Sequence, residues 1–222
     1  MVNFEDVPPF MISILLQQFN FEDFANAFRI WKNGKSHLTQ AHVLEEIDLC
    51  KFFKVGEWNS QFEPFMNYAS NLGVHDALFY LPAWHLARKT GEKDDAFFIL
   101  HSLSEEGHFK SKLSYHFFKI LYGEHEADHS INKLVELIQE YCGDAFVRKW
   151  IMDMHVLKRG WEHINHDYKS VPTICSSAEK GYEEHFNSLS WPRRIDDIES
   201  IKCARCKVSL TMYDYCNNNY DF

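Results

Sequence analysis

The chain has 222 residues, 45% of them hydrophobic and 16% aromatic, including 19 phenylalanines. That is enough apolar material for a real core in one or two domains, and it excludes general disorder. A formal charge of -9 and a pI of about 5.8 exclude non-specific nucleic-acid binding, which needs a basic surface.

No stretch is long enough to span a membrane. The longest apolar opening, residues 10–16, is short and follows Glu5, Asp6 and two prolines. No basic start and no small-residue cleavage site mark a secretory leader. The expected location is cytoplasm or nucleus. There the six cysteines are expected as thiols or metal ligands rather than disulfides.

Residues 1–45 read as a first helical region. Val7-Pro8-Pro9 stands where a helix can begin. Met11, Ile12, Leu15, Leu16 and Phe19 follow at helical spacing. A second short run, 22–32, puts Phe24, Ala27, Phe28 and Trp31 on one face, with Asn20 as its cap. Two short helices cannot bury that much apolar surface between themselves. They need the rest of the chain or a partner.

Residues 46–160 read as helices joined by short turns. A helix over 36–57 bridges the two regions and ends at Gly56. Phe62, Phe65, Met66 and Leu72 mark the next helix, with Pro64 tolerated in its first turn. Pro82 predicts a kink or break near Leu81 in the run 74–89. Helices are then predicted over 94–103, along Phe109, Leu113, Phe117, Ile120 and Leu121, and along Ile131, Leu134, Val135 and Ile138 with Ser130 as cap. Phe146, Trp150, Met154 and Leu157 mark a further one. Core packing accounts for the aromatic stripes.

Gly73, Gly107 and Gly143 stand 34 and 36 residues apart, and Ala77 and Ser111 follow the first two by four positions. That period belongs to helix–turn–helix repeats of the tetratricopeptide and Sel1-like kind. Glycine at positive φ ends one helix. The small residue lets the next helix pack close. Residues 161–222 read as an irregular tail of loops, with one helix expected near 176–186.

Three groups invite chemistry. His125-Glu126-Ala-Asp-His129 matches His-Glu-x-x-His, where two imidazoles would hold zinc and the glutamate would polarise its water. Its polar setting between predicted helices fits a turn better than a hydrolase site. Cys203 and Cys206 form a Cys-x-x-Cys pair, with Cys216 as a third candidate ligand of a structural zinc; free thiols are the alternative. His155, His163 and His166 fit solvent-facing positions. No phosphate-cradling loop or nucleophile elbow is present.

Val7-Pro8 with Met11, Ile12, Leu15 and Leu16 resembles the opening of an F-box, and the run to Trp31-Lys32 resembles its second helix. Valine stands for the usual leucine before Pro8, the spacer is short, and Asn33-Gly34 replaces the usual aromatic. With Gly73-Val-His-Asp-Ala77-Leu-Phe-Tyr80 behind it, the arrangement over about residues 5–145 resembles plant F-box proteins with Sel1- or tetratricopeptide-like repeats. The resemblance implies an all-α, non-catalytic substrate receptor of a cullin-type ubiquitin ligase. Val7, Pro8, Met11, Ile12, Leu15, Leu16, Phe24 and Trp31 would dock on a Skp-type linker, and the repeats would hold a protein client. A helical-repeat scaffold without a ligase is the alternative.

Overall fold

The computed structural model describes residues 44–45, 49, 62–123, 127–140, 143–158 and 203–217. Among these residues the protein is all-α, with seven helices and no strand. They are α1 (Phe62–Asn71), α2 (His75–Arg88), α3 (Lys93–Glu105), α4 (Phe109–Leu121), α5 (Ala127–Glu140), α6 (Asp144–Lys158) and α7 (Ala204–Asn217). The chain divides into two units, Met1–Trp84 and His85–Phe222, so the division falls within α2.

In the first unit, α1 forms because Phe62, Phe65, Met66 and Ala69 recur at helical spacing and bury one face. Pro64 sits in its first turn, where no intrahelical donor is lost. Leu72, expected in this helix, lies in the turn after it and is exposed. Gly73 takes φ +81°, and the Val74 N–H reaches back to the Ala69 carbonyl at 3.1 Å. That six-residue closure ends the helix. Ala77 is fully buried in the first turn of α2.

The break expected at Pro82 does not occur: α2 runs without interruption from His75 to Arg88 with Pro82 inside it. A mid-helix proline costs roughly 3 kcal/mol. Around it Phe79, Tyr80, Ala83, Trp84, Leu86 and Ala87 are all buried. Burial of side chains of this size stabilises by about 1.5–3 kcal/mol each, so packing outweighs the lost hydrogen bond.

The second unit begins with the last turn of α2. Lys89, at φ +53°, ends that helix, and the Thr90 N–H closes onto the His85 carbonyl at 2.9 Å. Gly107, at φ +90°, ends α3 in the same way, through His108 N–H to the Leu103 carbonyl at 2.9 Å. Gly143 departs from the expected pattern. It lies outside the positive-φ glycines, and its carbonyl accepts from Phe146 and Val147 at the start of α6. The positive-φ glycine that follows α4 is Gly123, at φ +62°. Ser130, expected as a cap, is buried inside α5.

Helix α3 packs on α4, and α4 on α5. The largest correction concerns the tail. Residues 204–217, expected as irregular, form α7, which packs on α5 and α6. Val208, Leu210, Met212, Tyr215 and Cys216 are buried in it. The core centres on Phe117 of α4, whose ring meets Trp150 of α6 at 5.2 Å and Tyr215 of α7 at 5.0 Å, both edge to face. The Trp150 indole N–H donates to Ser114 Oγ at 2.9 Å.

Three helix ends in this unit are closed by side chains from elsewhere. The last carbonyls of a helix have no intrahelical donor, and the end carries partial negative charge. The Tyr122 hydroxyl donates to the Leu86 carbonyl of α2 at 2.8 Å. Arg88 Nε donates to the Leu157 carbonyl of α6 at 3.0 Å. Lys158 Nζ donates to the Tyr215 carbonyl of α7 at 2.7 Å. Each capped helix end thus supplies, or lies beside, the cation that caps the next. Burial lowers the Arg88 pKa to about 10, which leaves it charged at neutral pH. Beside Lys158, His155 Nε2 lies 2.9 Å from Asp214 Oδ2, both side chains almost wholly buried.

Candidate functional site

Helices α3, α4 and α5 form the walls of a cleft of about 300 Å³. α3 contributes His101, Ser104 and Glu105; α4 contributes Lys112, Tyr115 and His116. Both sets follow the i, i+3, i+4 spacing that places side chains on one helical face. α5 adds His129, Ser130 and Lys133.

A row of four rings crosses the cleft. His101 meets Tyr115 at 5.1 Å, Tyr115 meets His116 at 5.2 Å, and His116 meets His129 at 6.3 Å, each near edge to face. Ser104, His116 and Ser130 are the buried members, with His116 Nδ1 3.4 Å from Ser130 Oγ. Lys133 Nζ pairs with Glu136 at 2.7 Å on the outer side of α5. Among the described residues Lys112 has no carboxylate partner.

Burial pushes the His116 imidazole down to about 4, and the basic groups of His129, Lys112, Lys133 and His101 push in the same direction. His116 is therefore neutral at physiological pH. Its free ring nitrogen is a hydrogen-bonding group rather than a charge.

Sequence reasoning missed this cleft. The legible signal was the repeated spacing of polar and ring residues, 101/104/105 and 112/115/116, on helices that follow one another. A single helix gives no reason to prefer that face to ordinary solvent.

The other candidates fall as follows. Val7, Pro8, Met11, Ile12, Leu15, Leu16, Phe24 and Trp31 lie outside the described residues. So do His125 and Glu126, whereas His129 is exposed in the first turn of α5 and belongs to the cleft. Ser111, fully buried at the start of α4, meets His108 Nδ1 at 2.7 Å through its hydroxyl, and His108 accepts from its backbone N–H.

Cys203 and Cys206 stand one turn apart at the start of α7, and Cys216 is buried near its other end. Ten helical residues rise about 15 Å, against roughly 4 Å between two sulfurs on one zinc. Cys216 is therefore separated from the pair by the helix that the sequence reading had not anticipated. Among the described residues no three histidine, cysteine or acidic side chains are placed to hold a metal ion.

Compared with known proteins, the chain matches no family model, no curated protein and no solved structure.

Proposed function

We propose that the chain is a non-catalytic interaction protein that serves as substrate receptor of a cullin-type ubiquitin ligase. The observation that carries this reading is the N-terminal run Pro8, Met11, Ile12, Leu15 and Leu16, set ahead of an all-α body of short helices and tight turns. Such a receptor breaks no bond itself. It raises the effective concentration of a client near the ligase. The Skp-type linker would take the N-terminal hairpin, and the helical body would take the client.

A second reading, a helical scaffold without a ligase, draws on Phe98. Its ring is 73% exposed on α3, and an exposed aromatic is a preferred anchor at protein interfaces. It supplies a docking point that does not depend on residues 7–31.

Affinity purification of the tagged chain from cells separates the two. The receptor reading expects the Skp-type linker and cullin to co-purify, and a Leu15→Asp, Leu16→Asp variant to lose both. Recovery of other proteins without linker or cullin favours the scaffold.

A further inference from the structure

We propose that the cleft between α3, α4 and α5 is a binding site for a phosphomonoester group. The inference goes beyond the receptor reading, because it stands on residues 101–133 and not on residues 7–31.

Two lysines and three imidazoles from three helices converge there: Lys112 and Lys133 with His101, His116 and His129. One carboxylate, Glu105, lines the same space. Counted with neutral histidines, as in the chain's net charge of -9, the lining sets Lys112 and Lys133 against Glu105, and Lys133 also meets Glu136. The hydroxyls of Ser104, Tyr115 and Ser130 add neutral donors. An anion with several oxygen acceptors matches this lining; a cation or an apolar group does not.

Two further observations narrow the ligand. Lys112 has no ion-pair partner among the described residues, so its ammonium is available to a guest. The neighbours that hold the His116 imidazole down are bases, His129, Lys112, Lys133 and His101, while Glu136 and Glu105 stand nearby as carboxylates. A phosphate dianion there would accept a charge-assisted hydrogen bond from Lys112, and one from Lys133 in exchange for its contact with Glu136. A transition metal fits less well, since these imidazoles do not form a metal-binding group with a third ligand. A volume of about 300 Å³ exceeds a phosphoryl group and leaves room for the group that bears it.

A phosphorylated metabolite and a phosphorylated side chain share this chemistry. The test is isothermal titration of the full chain with inorganic phosphate, O-phosphoserine and a short phosphoserine peptide, at constant ionic strength. The proposal expects saturable binding of phosphoserine, and no binding of serine. A Lys112→Ala, Lys133→Ala variant should lose affinity about tenfold or more, the loss of one good charge-assisted contact. Lys149→Ala, on the exposed side of α6, should change it less than about twofold, since Lys149 does not line the cleft. Equal affinity for phosphoserine and the peptide would support recognition of the phosphoryl group alone; tighter peptide binding would support a phosphorylated protein as its source.

Histidine proton resonances of the wild type give a readout that needs no variant. Phosphoserine should move those of His101, His116 and His129 together and leave His85 and His155 in place. Absence of saturable binding would overturn the proposal. So would affinity unchanged in a folded Lys112→Ala, Lys133→Ala variant.

Discussion

Lys158 Nζ donates to the carbonyl oxygen of Tyr215 across 2.7 Å, so that a buried ammonium of α6 closes the end of α7. A second, longer contact reaches the Cys216 carbonyl at 3.4 Å. Burial lowers the Lys158 pKa, and Cys216 and Asp214 oppose that shift. Replacing Lys158 by Met keeps the stem and removes the donor. The expected loss is about 1.5–3 kcal/mol, the range for hydrogen bonds to charged groups. Urea unfolding measures it. Unchanged stability would mean that the cap contributes nothing net.

The His155–Asp214 pair lies one helical turn away and carries a different energetic signature. Burial holds the His155 pKa down, so removing Asp214 leaves a buried imidazole without that partner, at a cost of about 1–3 kcal/mol. Asp214→Ala should therefore destabilise by that amount. Replacing both by apolar residues, His155→Phe with Asp214→Leu, should cost much less than the two single changes added together. A double-mutant cycle in urea reads the coupling. Additive losses would show that the two groups act independently.

The pH dependence follows from His116. Its folded pKa is about 4, against 6.5 for an ordinary histidine. The unfolded chain therefore takes up a proton that the folded chain refuses. Stability from this group is complete above pH 6.5 and falls as the pH drops toward 4, by at most about 1.4 kcal/mol per pH unit. The charged and titratable groups around it are His101 and Glu105 from α3, Lys112 and Tyr115 from its own helix, and His129, Lys133 and Glu136 from α5. Burial shifts His155 in the same direction, partly offset by Asp214. Urea midpoints between pH 7 and 4 should fall less steeply for His116→Gln than for the wild type. Parallel curves would contradict this origin.

Lys89 is the one non-glycine residue at positive φ among the described residues. A Cβ in that region costs about 1–2 kcal/mol, partly offset by the greater chain entropy that glycine loses on folding. Lys89→Gly should raise stability by about 0.5–1 kcal/mol. Gly107→Ala, which enforces the same strain at φ +90°, should lower it. Thermal unfolding of the two variants gives opposite signs if the turns behave alike.

The helices α1, α3, α4, α5 and α6 were legible because each carries an apolar stripe at one helical period, as Phe62, Phe65, Met66 and Ala69 do. α7 was not. Its buried residues include Ser209, Thr211 and Asp214 beside Leu210, Met212 and Tyr215, so no apolar face stands out. Thr211 returns its hydroxyl to the Lys207 carbonyl at 2.9 Å and Asp214 pairs with His155, which is how polar side chains are accommodated inside. Of the kink or break expected at Pro82, the break is absent for a related reason: local propensity spoke for it, and burial of the neighbouring side chains overrode it. The cleft required knowledge of which helices are neighbours. His101, His116 and His129 lie far enough apart in sequence that only the packing of α3, α4 and α5 joins them.

The central functional claim concerns binding of the N-terminal segment to a linker, and a binary titration addresses it without other cellular proteins. The purified chain would be titrated with a purified Skp-type linker by calorimetry, beside a Leu15→Asp, Leu16→Asp variant of matched helical content. The account predicts saturable one-to-one binding by the wild type that the variant loses. No binding by a folded wild-type chain, or equal binding by both proteins, would contradict it.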